Sequence, residues 1–167
     1  MVATFAWIEH NLTAGDTGVP TNLNFGSTNQ RDLSPSLNPI TAGTYSYSKW
    51  VRGNWTGAFT RIENLQFFAS DSGPYVTGEL VLCSATTTTY GGTSTYATPV
   101  TTLDPQAIAP VPVADPAAVN LGFTGSLANS LTSAGNSDFI VLQTSVTVAA
   151  SAGPVNQKTF TLQYDEV

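Results

Sequence analysis

Apolar and polar positions alternate along this chain with a period of two, and no stretch shows the 3.6-residue period of an amphipathic helix. From Phe139 to Ala149, Ile140, Leu142, Val146 and Val148 fall on one face, with Gln143, Ser145 and Thr147 on the other. That is the pattern of a half-buried strand. Ser151-Ala152-Gly153-Pro154 breaks it, and Lys158 to Tyr164 resumes it, with Phe160, Leu162 and Tyr164 opposite Thr159, Thr161 and Gln163. Two such runs across a short Gly-Pro loop predict an antiparallel hairpin, packed on one face and wet on the other.

A second hairpin is predicted earlier. Thr44 to Arg52 puts Tyr45, Tyr47 and Val51 on one face, Gly53-Asn54 offers a two-residue turn, and Trp55 begins the return. Glycine at the first central position suits a type II′ turn. The return run to Phe68 loses its alternation between Phe59 and Leu65, which predicts a β-bulge near Arg61 to Glu63, and Gly57 marks a second irregularity. A further strand is expected from Val76 to Ser84, after the turn Asp71-Ser72-Gly73-Pro74. Shorter candidates are Thr86 to Tyr90, Tyr96 to Leu103 and Val119 to Thr124. Leu127 to Leu131, capped by Ser126, is long enough for a single helical turn.

Residues 11–43 hold four glycines and three prolines with few apolar anchors, so a long loop or arm is expected there. Residues 104–118 hold Pro105, Pro110, Pro112 and Pro116. Proline has no N–H for a central ladder, which predicts an extended edge segment on the surface. Short strands with Gly/Pro punctuation indicate an all-β fold, an antiparallel β-sandwich or jelly-roll-like barrel with long Pro/Gly-rich loops, in one domain spanning residues 1–167.

Composition narrows the function classes. Charged residues make up 10% of the 167, against about 25% in an ordinary domain. The net charge is −6, and the five cations, Arg31, Lys49, Arg52, Arg61 and Lys158, are scattered. A nucleic-acid partner needs a basic groove and is not expected. No window reaches the ~18 apolar residues of a membrane span, and the first residues lack the basic and apolar regions of a signal peptide. The sequons Asn11-Leu12-Thr13 and Asn54-Trp55-Thr56 are read as coincidence in a Thr-rich chain.

Catalytic vocabulary is scarce, with one histidine, His10, and one cysteine, Cys83. Asp16-Thr17-Gly18 matches the aspartic-protease tripeptide, but that chemistry needs two carboxylates sharing a proton, and no apolar strand leads into this copy. It reads as a polar turn. Cys83 reads as a buried structural thiol and His10 as a polar residue ending the first strand. A zinc site needs about four Cys or His ligands, so no metal or other cofactor and no enzymatic activity are expected. The aromatics Tyr45, Tyr47, Trp50, Trp55 and Phe59 crowd fifteen positions. They form either a sugar-stacking platform or protein-binding hot spot, or plain core. Tyr45, Tyr47, Trp50 and Trp55 are the candidate interaction residues.

The segment from Tyr45 to Phe68, with Ser46-Tyr47-Ser48-Lys49 at its head, the later Thr95-Tyr96-Ala97-Thr98-Pro99-Val100 and the closing Phe160 to Glu166 resemble small virion structural proteins of tailed bacteriophages. An early loop around Asn24-Phe25-Gly26-Ser27 and a Thr-rich second half belong to the same resemblance. It implies a non-enzymatic, β-rich part of the virion, assembled in the host cytoplasm. A capsid decoration (cement) protein on the major capsid protein is expected first, as a homo-oligomer such as a trimer, and a minor neck or tail component second. A carbohydrate- or host-receptor-binding β-sandwich is the alternative from a different class.

Overall fold

The computed structural model describes residues 2–13, 15–71, 76–85, 92–150 and 157–167. Ten strands are present among them: β1 (Ala3–Asn11), β2 (Asp16–Gly18), β3 (Thr44–Tyr45), β4 (Lys49–Gly57), β5 (Ile62–Asp71), β6 (Glu79–Cys83), β7 (Ala109–Pro110), β8 (Gly135–Asn136), β9 (Ile140–Val146) and β10 (Lys158–Glu166). Every pairing is antiparallel, and the described residues contain no helix. The predicted turn of helix at Leu127 is absent; Phe123 and Ser126 bridge across a tight turn instead.

The larger sheet runs β2-β1-β4-β9-β6-β7, with β3 added to β9 and β8 to β4, and the smaller sheet pairs β10 with β5. One core joins them. Val51 and Trp55 of β4, Val81 and Cys83 of β6, and Ile140 and Leu142 of β9 meet Ile62, Leu65, Phe67 and Ala69 of β5, with Phe160, Leu162 and Tyr164 of β10 packed against them. The face predicted for the last strand, Phe160, Leu162 and Tyr164, is therefore the one turned inward.

Its predicted partner is wrong. β10 pairs with β5 and β9 with β4 and β6, so the two clearest runs lie in different sheets and form no hairpin. Alternation tells which face is buried, not which strand is the neighbour. The bridging residues 151–156, like residues 72–75 and 86–91, where a turn and a strand were expected, lie outside the described residues. The wet face expected of residues 139–149 is only partly present: Thr147 is exposed and Ser145 half-buried, but Gln143 is buried. Val141, Gln143 and Thr144 are as buried as Ile140 and Leu142, whereas Val148 is 84% exposed. A second apolar cluster, Trp50, Ala107, Phe139 and Val141 with Leu82 and Tyr96, covers the outer face of the larger sheet. The Gln143 amide holds this cover down: Nε2 donates to the carbonyls of Ser46, Val100 and Thr102, and Oε1 accepts the Asp104 N–H. Residues 96–103 accordingly form a covering loop and not the expected strand.

Gly53-Asn54 is no turn. β4 runs straight through it, Gly53 opposite Trp7 and Asn54 opposite Ala6. The glycine is there for close approach: a Cβ would fall 2.6 Å from Cη2 of Trp55 and 2.9 Å from Cδ2 of Leu162. Gly53→Ala is expected to destabilise by about 1–3 kcal/mol through overpacking, read as a lower urea midpoint at unchanged m-value. The bulge is real but sits slightly later than predicted. Gln163 faces Gln66 and Asp165 faces Glu63, so Asn64 and Leu65 share one partner residue, with Asn64 at φ 57°. Asn64 Nδ2 donates to Asp165 Oδ2 at 2.7 Å across the kink. Gly57, the other flagged irregularity, ends β4 at φ 85°.

The strand expected from Val76 begins only at Glu79, after a turn closed by the Glu79 N–H on the Val76 carbonyl. Residues 119–124 contribute isolated bridges, Leu121 to Leu65 among them, in place of a strand. Residues 19–43 are irregular and folded back on the sheets: Leu33 is buried, and Leu23 and Phe25 pack on the core. The Pro-rich stretch supplies the terminal strand β7 against β6. Pro110 leaves that terminal strand without one of its N–H donors, a common protection against unwanted strand pairing.

Candidate functional site

Trp50 and Trp55 occupy opposite faces of β4, as their spacing dictates, and both are buried. Trp50 meets Tyr96 and Phe139 edge-on at 5.6 and 5.7 Å in the outer cluster. Trp55 lies between the sheets against Tyr164, Phe5 and Phe123 at 5.2, 5.3 and 5.9 Å. Neither offers a ring face to a ligand, which corrects their place among the candidate interaction residues. Tyr45 and Tyr47 are half-buried. Tyr47 walls an open groove of about 300 Å³ with Pro99, Val100, Thr101 and Thr102.

Cys83 and His10 lie on opposite faces of the larger sheet and form no dyad. Cys83 is in the inter-sheet core, its Sγ bonded to the backbone of Ala85, and burial pushes the thiol up to about 12. His10 packs edge-on against Phe139 at 4.7 Å and near Tyr96 at 5.5 Å. Burial first, and the Arg52 guanidinium second, pull its pKa down to about 4. A group whose folded pKa lies below its unfolded value of about 6.5 favours the fold above that value and withdraws the support as pH falls toward 4. His10→Gln is therefore expected to flatten the loss of stability between pH 6.5 and about 4, measured as urea midpoints across that range. An unchanged slope would show that His10 is not the group responsible. Asp16 falls in the short edge strand β2, paired with Asn11. The protease-like tripeptide is thus the rim of a hairpin.

The polar cluster that composition did not reveal stands where β1, β4 and residues 29–32 meet. Lys49 Nζ donates to Glu9 Oε1 and to the Gln30 carbonyl, both at 2.7 Å, with Lys49 3% and Glu9 0% exposed. Asn11, 4% exposed, lies on the same strand and lines a cleft of about 270 Å³ with Leu12, Asn29, Gln30, Arg31 and Asp32. Glu9 Oε2 and Asn11 Oδ1 are buried without a hydrogen-bond partner. Burial raises the Glu9 pKa, while Lys49 and Arg31 act against the rise and Asp32 adds to it. At the cleft rim, desolvation of Asp32 is outweighed by bonds from Asn22 and Thr21, which hold its carboxyl below the ordinary range. One clue was present in the sequence: Lys49 interrupts an aromatic, β-branched strand in a chain with five cations. The pairing with Glu9 was not legible, because forty residues separate the two. Asn11, read as a sequon, is too buried in the fold to carry a glycan.

The surface chemistry has a simple distribution. Among the described residues, the ten exposed large apolar side chains lie outside the strands, Leu37 at 80% and Ile108 and Val113 at 58% among them. Among the described residues, no group of three His, Cys, Asp or Glu side chains is placed to hold a metal ion. No helix among the described residues is long and apolar enough to cross a membrane. Compared with protein-family models, curated proteins and solved structures, the chain matches none.

Proposed function

We propose that this chain is a non-enzymatic structural protein of a bacteriophage virion, a decoration protein that binds across neighbouring subunits of the capsid shell. The observation that carries the reading is the segregation of the apolar surface. The larger sheet is covered on both faces and the smaller sheet on its inner face, and among the described residues the large apolar groups left in water sit outside the strands. A rigid body with adhesive loops suits a protein that acts through binding energy alone, and repeated display on a lattice turns modest single-site affinity into high occupancy. The low charge density tolerates crowding of like copies. The resemblance of residues 45–68, 95–100 and 160–166 to phage virion proteins points the same way, and a jelly-roll-like closure of the strands would fit it. A minor neck or tail position uses the same surfaces at far lower copy number. The carbohydrate reading is weaker, since Trp50 and Trp55 have no free face.

Co-sedimentation of the purified protein with shells lacking it, followed by shell melting, tests the proposal. Binding with a raised shell melting temperature is expected, and Ile108→Glu with Val113→Glu should weaken it without unfolding the domain. Absence of both binding and stabilisation would overturn the role.

A further inference from the structure

We infer that Lys49 and Asn11 become joined by an intramolecular isopeptide bond, with Glu9 as the proton carrier. The inference is independent of the virion role. The β1–β4 ladder pairs Glu9 with Val51 and ends at His10 opposite Trp50, with Asn11 the next residue of β1 and Lys49 the residue of β4 before Trp50. Glu9 and Asn11 are two apart and share a face, while His10 and Trp50 turn to the aromatic cluster on the other side. Lys49 Nζ reaches this face, since it bonds Glu9 and the Gln30 carbonyl, and Gln30 lines the same cleft as Asn11.

An ion pair that only anchored residues 29–32 would account for Lys49 and one carboxylate oxygen. It would leave Glu9 Oε2 and Asn11 Oδ1 buried and unpaired, each at a desolvation cost. Three groups, amine, carboxamide and carboxyl, each at least nine-tenths buried, are instead a complete set for acyl transfer. The Lys49 ammonium passes a proton to Glu9, whose raised pKa favours receiving it. The neutral Nζ attacks Cγ of Asn11, and the Cγ–Nζ bond forms as Cγ–Nδ2 breaks. Glu9 returns its proton to the departing nitrogen, and a second proton lost from Nζ leaves with it. Ammonium is released, Glu9 ends as it began, and no oxidant or reductant is needed.

Intact-mass spectrometry of the folded full chain, followed by peptide mapping, is the test. The expected result is a mass short by one ammonia and a branched peptide joining the Asn11 and Lys49 segments. Glu9→Gln and Asn11→Ala should each restore the full mass and remove the branch. Full sequence mass in the folded wild type would overturn the inference whatever the variants do. So would an ammonia deficit without the branch, which would mark succinimide formation at another asparagine.

Discussion

Trp55→Ala is expected to destabilise the fold by about 3–5 kcal/mol, lowering its melting temperature by roughly 10 °C. Trp55 is fully buried between the sheets and touches the chain at four levels: Phe5 on β1, Tyr164 on β10, Phe123 in the loop before β8, and Gly53 beneath its own ring. Gly53 shows how closely the site is fitted. It lacks a side chain because the indole and Leu162 fill that space, so truncating the indole leaves a void that rigid strands on both sides cannot close. Partial relaxation fails most where the neighbours are hydrogen-bonded into ladders, as Phe5 and Gly53 are. The informative control is Val148→Ala. Strand alternation places Val148 in the core, yet it is 84% exposed, so its loss should fall within about 0.5 kcal/mol of the parent. Paired urea titrations would separate the two; equal losses would mean that Trp55 is not the wedge between the sheets.

That contrast also locates where sequence reading succeeds. Local rules served wherever a decision depended on near neighbours. Phe160, Leu162 and Tyr164 turned inward, the lost alternation before Leu65 marked a bulge, and Cys83 proved a buried thiol. They failed where the answer depended on chain far away. Gly53-Asn54 carries all the chemistry of a turn, but Leu162 and Trp55 decide its conformation. Gln143 reads as a solvent-facing polar residue until residues 96–104 fold over it and bond it through Val100, Thr102 and Asp104, beside Ser46. The pairing of β10 with β5 joins segments about a hundred residues apart, and hydrophobic period is blind to such partners. The aromatic crowd was a fair place to look for a surface. Its two tryptophans became core because both faces of the larger sheet are covered, Trp55 in the inter-sheet core and Trp50 under the second cluster, while Tyr45 and Tyr47 stay half-buried.

Lys49→Met should cost about 3–5 kcal/mol, the usual penalty for leaving one partner of a buried ion pair alone. Two groups lose their donor at once, Glu9 Oε1 and the Gln30 carbonyl, each 2.7 Å from the ammonium, and residues 29–32 lose their tie to the sheet. Proton uptake limits the damage. Burial already raises the Glu9 pKa, and without the cation it rises further, so the variant should recover stability as pH falls through the carboxylate range. A raised folded pKa binds protons that the unfolded chain does not, hence stability gained on acidification. The double variant Glu9→Leu, Lys49→Met then divides two accounts of the cluster. An ion pair replaced whole by apolar groups of similar volume is often neutral or stabilising, so the double variant should approach the parent if only charge is lost. If a Lys49–Asn11 bond closes the intervening loop, its removal frees the unfolded chain by roughly 3–4 kcal/mol, and the double variant should stay that far below. Urea midpoints of parent, single and double variants, read beside their intact masses, distinguish a salt bridge from a covalent staple.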